Sequence, residues 1–177
     1  MVPSEVPQDL TESFQPIFGQ AVSIRPLRRE DLDIESAFVK GLSAATRYNR
    51  LLGGMVALTP EYFERLTSVD YRSDMALAAT VMLEGEETLI GVARYAREAD
   101  ERSCEFALVI ADAWQGRGIG RRMLAKLIAV ARARGYARMI GDVLSSNRPM
   151  QELVKKLGFR LQLHPQDATV MRATLEL

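Results

Sequence analysis

A glycine-rich segment, Gln115–Gly120, lies between a predicted strand and a long predicted helix. Its glycines let the backbone approach a ligand closely. The first turn of a helix leaves N–H groups without partners and carries a partial positive charge, so it binds anions such as phosphate. The segment is not a Walker A motif, because no Gly-Lys-Ser/Thr follows, and Arg121 stands at the third glycine position of the dinucleotide-binding pattern. It predicts a phosphate-binding loop of another kind.

Glu105 is the candidate for proton transfer. It lies in the predicted strand 103–111, where side chains alternate between the two faces of a sheet. Its carboxylate is therefore expected on the face opposite Phe106, where it can serve as a general base directly or through water. Cys104 has no histidine nearby and shares the apolar face with Phe106, so it is predicted to be a core residue and not a nucleophile.

Other residues near these motifs are assigned structural roles. His164 precedes Pro165 in a predicted loop and is expected to be polar and exposed. Asp142 lies in a predicted strand beside the site, where a structural hydrogen bond is favoured over binding of a cationic substrate. Trp114 and Phe106 are predicted to lie in the core.

The composition limits the class of protein. The chain has 177 residues, with 23 basic and 23 acidic side chains, one Cys and one His. These numbers predict one globular domain, exclude metal sites that need several Cys or His ligands, and favour the reducing cytoplasm. The longest stretch without a charged residue, Ser13–Ile24, has 12 residues, whereas a membrane span needs about 20 apolar ones. No contact with a membrane is expected.

The charge is divided along the chain. Residues 1–112 hold 11 basic and 19 acidic side chains, whereas residues 113–177 hold 12 and 4. The basic part would attract an anionic ligand, and the acidic part would suit a cationic amine. Binding of nucleic acid is not expected, because Tyr136 is the one aromatic residue among the basic residues from 115 to 138.

The predicted elements form a mixed α/β fold. Residues 1–21 are predicted to be a flexible leader, and residues 22–177 a single domain. After a short strand, three helices precede an antiparallel meander, followed by a strand–helix–strand crossover. The helices are predicted at 31–41, 43–52, 59–68, 119–134 and 149–157, and the strands at 22–24, 75–83, 88–97, 103–111, 138–144, 159–163 and 169–175. This order predicts a mostly antiparallel sheet of about six to seven strands flanked by helices.

These features in this order resemble the GNAT superfamily of acetyl-CoA-dependent N-acetyltransferases. Within it, the chain is most similar to the acetyltransferase domain of bacterial protein lysine acetyltransferases. The resemblance covers about residues 22–177. The segments that carry it are Gly41–Tyr48, Ile90–Tyr95, Glu105–Ala107, Trp114–Gly120 and Asn147–Phe159.

The resemblance implies a site for acetyl-CoA. It places the pyrophosphate on backbone N–H groups of the loop, and the pantetheine arm along the end of a strand that separates from its neighbour. Asn147 matches a position that commonly contacts the cofactor, although an N-cap of the following helix is the alternative. The implied cofactor-binding residues are Leu108, Val109, Ile110, Gln115, Gly116, Arg117, Gly118, Ile119, Gly120, Arg121 and Asn147.

The resemblance also implies direct attack of an amine on the thioester in a ternary complex, with Glu105 as the general base. Many relatives use a tyrosine as the acid that protonates the thiolate, but Val154 stands at that position. A protein lysine is the predicted acceptor. The alternatives are a small-molecule amine acetyltransferase and a catalytically silent acyl-CoA-sensing module.

Overall fold

Eight strands form one sheet in the computed structural model, which describes residues 5–15 and 20–177. They are β1 Glu12–Phe14, β2 Val22–Pro26, β3 Met75–Leu83, β4 Glu86–Arg97, β5 Ser103–Ile110, β6 Arg138–Leu144, β7 Arg160–His164 and β8 Asp167–Glu176. The helices are α1 Leu32–Gly41, α2 Ala44–Arg50, α3 Pro60–Thr67, α4 Ile119–Ala133 and α5 Arg148–Lys156. The predicted class, a mixed and mostly antiparallel α/β fold, is confirmed.

The strand order in the sheet is β1-β2-β3-β4-β5-β6-β8-β7. Neighbouring strands are antiparallel, except for β5 and β6, which are parallel. A parallel pair needs a crossover connection, and α4 supplies it between β5 and β6. No helix in the described part of the chain is long and apolar enough to cross a membrane.

The strand β1 is an element that the sequence did not predict. It forms the edge of the sheet beside β2, and the Glu12 carboxylate accepts hydrogen bonds from Arg122 at 3.0 Å and Lys126 at 3.1 Å on α4. Residues 12–14 are therefore joined to the sheet, which differs from the predicted flexible leader. Residues 1–4 and 16–19 of that leader lie outside the described residues.

The two faces of the sheet are covered by different helices. Met75, Leu77 and Ala79 on β3 pack in a cluster with apolar residues of α4. Ala76 and Ala78 alternate with them and pack in a second cluster with apolar residues of α1 and α3. The continuous apolar run that predicts β3 is thus explained by burial on both faces.

The strands β5 and β6 are paired over three residues and then separate. Their partners are Ser103 with Arg138, Cys104 with Met139, and Glu105 with Ile140. The Phe106 ring lies against Gly141, where a Cβ atom would stand 2.2 Å from Phe106 Cε1. The same ring packs edge-on against Phe159, with 5.3 Å between the ring centroids. Only a residue without a side chain leaves room for the ring beside β6.

Gly141→Ala should destabilise the fold, because its methyl group and the Phe106 ring would occupy the same space. We expect a loss of about 1 to 3 kcal/mol in the free energy of unfolding, measured by urea denaturation. Gly41→Ala is the matched control, since a Cβ at Gly41 meets nothing within 4 Å. Equal stability of the two variants would contradict the packing described here.

Candidate active site

A cavity of about 800 Å³ is lined by β5, β6, the glycine-rich loop and the N-terminal end of α4. It includes every predicted site residue except Arg117, whose guanidinium stacks over the Trp114 ring at 4.9 Å. The residues brought together are Glu105, Leu108, Val109, Ile110, Gln115, Gly116, Gly118, Ile119, Gly120, Arg121 and Asn147.

The glycine-rich loop presents unpaired N–H groups at the start of α4. Gly116 and Gly118 have φ values of 72° and 82°, a left-handed conformation that favours glycine. The first hydrogen bond of the helix runs from the Arg122 N–H to the Gly118 carbonyl. The N–H groups of residues 119–121 therefore have no acceptor within the described chain, and the first turn contains no acidic residue. This arrangement fits an anion such as a pyrophosphate.

The end of β5 presents a second set of backbone groups, which have no strand partner on the side of β6, although the Ile110 carbonyl accepts from the Gln115 side chain. Beyond Glu105, the edge of β5 that faces β6 has no strand partner in the described structure. An extended ligand with amide groups can bind such an edge as an added strand would. Gly120 lies close to this edge, where a Cβ would stand 3.3 Å from Leu108 Cδ2. The anion site and the open strand edge thus adjoin each other.

Gln115 connects the loop to α2. Its side-chain amide donates to the Ile110 carbonyl at 2.9 Å and to Thr46 Oγ1 at 3.2 Å. Asn147 also has an internal partner, since its Oδ1 accepts from the Met150 N–H at 3.3 Å and caps α5. The N-cap alternative for Asn147 is therefore observed, while the residue still lines the cavity.

Asp112 is a positioning residue that the sequence analysis missed. Its carboxylate accepts from the Ser43 N–H at 2.9 Å, the Ser43 hydroxyl at 2.6 Å and the Thr46 hydroxyl at 2.7 Å. These hydrogen bonds lower the pKa of Asp112 to about 2. They fasten the start of α2, one wall of the cavity, to the end of β5. The contact spans 66 to 69 residues of sequence, so no local pattern indicates it.

Glu105 lines the cavity at the point where β5 and β6 separate. Solvent reaches its side chain, yet partial burial, the Glu98 carboxylate and the Asp142 carboxylate raise its pKa, against the opposing effect of Arg172. The Glu98 N–H donates to the Ser103 carbonyl at 2.9 Å, which places Glu98 diagonally across the hairpin from Glu105 on the same face.

Asp142 is held in an ion pair. Its carboxylate accepts from Arg172 Nε at 2.9 Å and from Arg172 Nη2 at 3.0 Å. The structural role that the sequence favoured for Asp142 is therefore present. His164 lies 3.0 Å from Arg172 Nη2 with only 18% of its side chain exposed, so the expected exposed loop position was wrong.

Two further residues, Cys104 and Val154, are excluded from the chemistry of the cavity. Cys104 is fully buried, and burial raises the pKa of its thiol to about 12, so it is not a nucleophile. Val154 is buried in the core and has no proton to donate. Trp114 is partly exposed and packs at the edge of the core. No group of three or more potential metal ligands occurs among the described residues.

Comparison with known proteins identifies the class. Residues 22–159 match the acetyltransferase (GNAT) family. The chain is 40% identical to acetyltransferase PA5475 of Pseudomonas aeruginosa over 151 residues, which are 85% of this chain and 81% of that protein. It is 30% identical to acetyltransferase Pat of Mycolicibacterium smegmatis over 142 residues, 79% of this chain but 41% of that one.

The fold agrees with a solved structure of the same class. The crystal structure of the GNAT domain of S. lividans PAT matches with a TM-score of 0.86 and 26% identity, over 98% of this chain and all of that one. The chain therefore belongs to the GNAT family of acetyltransferases, whose acetyl donor is acetyl-CoA. Its open strand edge and unpaired helix N–H groups fit the amides and the pyrophosphate of that cofactor.

Asp112→Asn should loosen the wall formed by α2. An asparagine keeps one acceptor oxygen, and its NH2 group must face either the Ser43 N–H or the hydroxyls of Ser43 and Thr46, none of whose hydrogen bonds it can accept. Because the folded pKa is depressed, the carboxylate stabilises the fold above its unfolded pKa, and this effect is lost as the pH falls towards 2. We expect a lower melting temperature than wild type at pH 7, with the difference shrinking between pH 4 and pH 2.

The control for Asp112→Asn is Glu64→Gln on α3. Glu64 is exposed, and its carboxylate has no partner among the described residues. This variant should melt like wild type across the same pH range. An Asp112→Asn protein with a wild-type melting temperature at pH 7 would contradict the role of Asp112 as an anchor.

Proposed function

We propose that this protein transfers an acetyl group from acetyl-CoA to a lysine side chain of a protein, by direct attack in a ternary complex with Glu105 as general base. The observation that carries the proposal is the position of Glu105, at the cavity and at the last pair between β5 and β6. The similarity to acetyltransferase Pat and to the GNAT domain of PAT supports acetyl transfer. The choice of a protein lysine as acceptor rests on the sequence resemblance to bacterial protein lysine acetyltransferases.

In this proposal, the N–H groups of residues 117–121 hold the pyrophosphate. The backbone of Leu108–Ile110 holds the pantetheine amides, and Gln115, Gly116 and Asn147 complete the cofactor site. Unpaired N–H groups at the start of α4 and the unpaired edge of β5 support this placement. Bound acetyl-CoA supplies the thioester carbonyl that an amine can attack.

Glu105 would remove the proton that prevents a lysine ammonium from attacking. A base with a raised pKa holds that proton more firmly than an ordinary glutamate, and the Glu105 pKa is raised. Because Val154 offers no proton, we assign protonation of the leaving thiolate to solvent or to another donor. The single cysteine permits no intrachain disulfide, which supports a cytoplasmic location.

Glu105→Gln should reduce acetyl transfer about 100-fold or more, because the amide cannot accept the proton. The measurement uses a cell lysate stripped of acetyl-CoA and incubated with isotope-labelled acetyl-CoA and the protein. Mass spectrometry then locates the label on lysines. The matched control is Glu101→Gln, since Glu101 lies in an exposed turn with an exposed ion pair to Arg97.

The outcomes separate the alternatives. Label on a few lysines that depends on Glu105 supports a protein acetyltransferase. Label confined to small molecules would make the chain a small-molecule amine acetyltransferase. Acetyl-CoA binding by calorimetry without any transfer would favour an acyl-CoA-sensing module. Transfer that proceeds unchanged in Glu105→Gln would overturn the assignment of the base.

Glu98→Gln should move the acidic limb of the pH profile of kcat/KM to lower pH. The base must be deprotonated, so activity falls as the pH drops through its pKa. Removing the Glu98 charge removes a cause that raises the pKa of Glu105. Glu101→Gln should leave the limb in place. An acidic limb that does not move in Glu98→Gln would contradict this coupling.

A further inference from the structure

The cavity lining outside the glycine-rich loop and α4 carries three arginines. They come from α2, α3 and β4, and they are Arg50, Arg65 and Arg94. The acidic balance of residues 1–112 predicted a wall suited to a cationic amine. The local lining differs from that average, because cationic side chains share the cavity with Glu105.

Arg94 is partly satisfied by internal partners. Its guanidinium donates to the Leu66 carbonyl at 3.0 Å and lies 3.5 Å from Glu35 Oε1. Glu35 is 2% exposed, and its second oxygen, Oε2, is buried without a partner in the described structure. Burial raises the pKa of Glu35, which weakens it further as a counter-charge. The charge of a second carboxylate, that of Glu105, also acts on this cluster.

Arg50 is the second cation beside Glu35 and Arg94. It lines both the main cavity and a small cavity of about 30 Å³ that Glu35 and Arg94 also line. The Arg50 guanidinium has no hydrogen bond or ion pair within residues 5–15 and 20–177. Burial and the neighbouring Arg94 lower the pKa of Arg50. Arginine stays charged in proteins. The charges of Glu35 and Glu105 act on Arg50, but neither carboxylate forms a direct ion pair with it in the described structure.

A partly buried charge without a partner is costly, and an anion bound beside it would remove that cost. The planar fork of a guanidinium matches the two oxygens of a carboxylate. Arg50, Arg94 and Glu105 all line one cavity, and the charges of Arg94 and Glu105 both act on Arg50, so the three groups are neighbours in it.

We propose that Arg50, assisted by Arg94, forms a subsite that recognises a carboxylate on the acceptor, while the acceptor amine lies at Glu105. This inference rests on the proposed function and adds a specificity to it. The carboxylate has two possible sources. One is the α-carboxylate of a lysine at a chain end or free in solution, and the other is an acidic side chain beside the acceptor lysine.

Matched acceptors that differ only in charge test this subsite. The first pair is Nα-acetyl-lysine and its carboxamide. The second pair is acetyl-Gly-Lys-Glu-amide and acetyl-Gly-Lys-Gln-amide. Acetyl transfer is followed with isotope-labelled acetyl-CoA, and kcat/KM is compared within each pair. We expect a preference of about 10-fold to 100-fold for the carboxylate in at least one pair, and that pair identifies its source.

Variants then assign the preference to Arg50. Arg50→Met removes the charge, so the ratio of the two kcat/KM values in the preferred pair should fall close to one. The main change should be a lower kcat/KM for the acceptor that carries the carboxylate. Arg50→Lys keeps the charge without the fork and should retain part of the preference. The control is Arg97→Met on the same strand as Arg94, because Arg97 lies outside the cavity and pairs with Glu101. This control should keep the wild-type ratio.

The results separate the failure of this inference from failure of the proposed function. If the wild-type protein transfers acetyl to all four acceptors and the two acceptors of each pair have equal kcat/KM, the carboxylate subsite is overturned and the proposed transferase activity is not. A preference that persists in Arg50→Met would overturn its assignment to Arg50. No transfer to any acceptor, with acetyl-CoA bound, would count against both the subsite and the proposed function. Transfer that favours the uncharged acceptors would count against the subsite alone. Because the wild-type ratios need no variant, the test holds even if Arg50→Met does not fold.

Discussion

The separation of β5 from β6 is the constraint on which the site depends. Backbone groups inside a sheet pair with a neighbouring strand, but here the parallel pairing ends after Glu105 and Ile140. The Phe106 ring occupies the space beside Gly141. From this point, β5 offers an unpaired edge to the cavity, and Glu105 stands where the opening begins. Glu105, which we propose as the general base, and the open strand edge are thus placed by one packing contact.

The walls around this opening are held by polar contacts between segments distant in sequence. Asp112 and Gln115 join the end of β5 and the glycine-rich loop to α2. The Asp142–Arg172 ion pair joins β6 to β8 on the other side. Several polar groups of the walls remain open to a ligand. They include the N–H groups at the start of α4, the carboxylate of Glu105 and the guanidinium of Arg50, and each of these three suits a different part of a reacting complex.

Local patterns predicted the elements and the loop. The predicted bounds of β3, residues 75–83, are those observed. The helix predicted at 59–68 is also present as α3, and the Thr59 side chain caps it by accepting from the Tyr62 N–H. The glycines before α4 indicated an anion site through rules that need only local geometry. The strand β1 was missed because its pairing with β2 and the ion pairs of Glu12 with α4 are tertiary contacts. The cluster of Glu35, Arg50 and Arg94 was missed for the same reason, since α1, α2 and β4 contribute one residue each.

A crystal structure of the protein with acetyl-CoA would test the central claim most directly, because it locates the cofactor relative to the opening between β5 and β6. We expect the pyrophosphate oxygens within hydrogen-bond distance of the N–H groups at the start of α4. We also expect the pantetheine amides on the backbone of Leu108–Ile110, and the thioester in the part of the cavity that Glu105 lines. A pyrophosphate bound away from α4, or a sheet in which β5 and β6 pair beyond Glu105, would contradict the account.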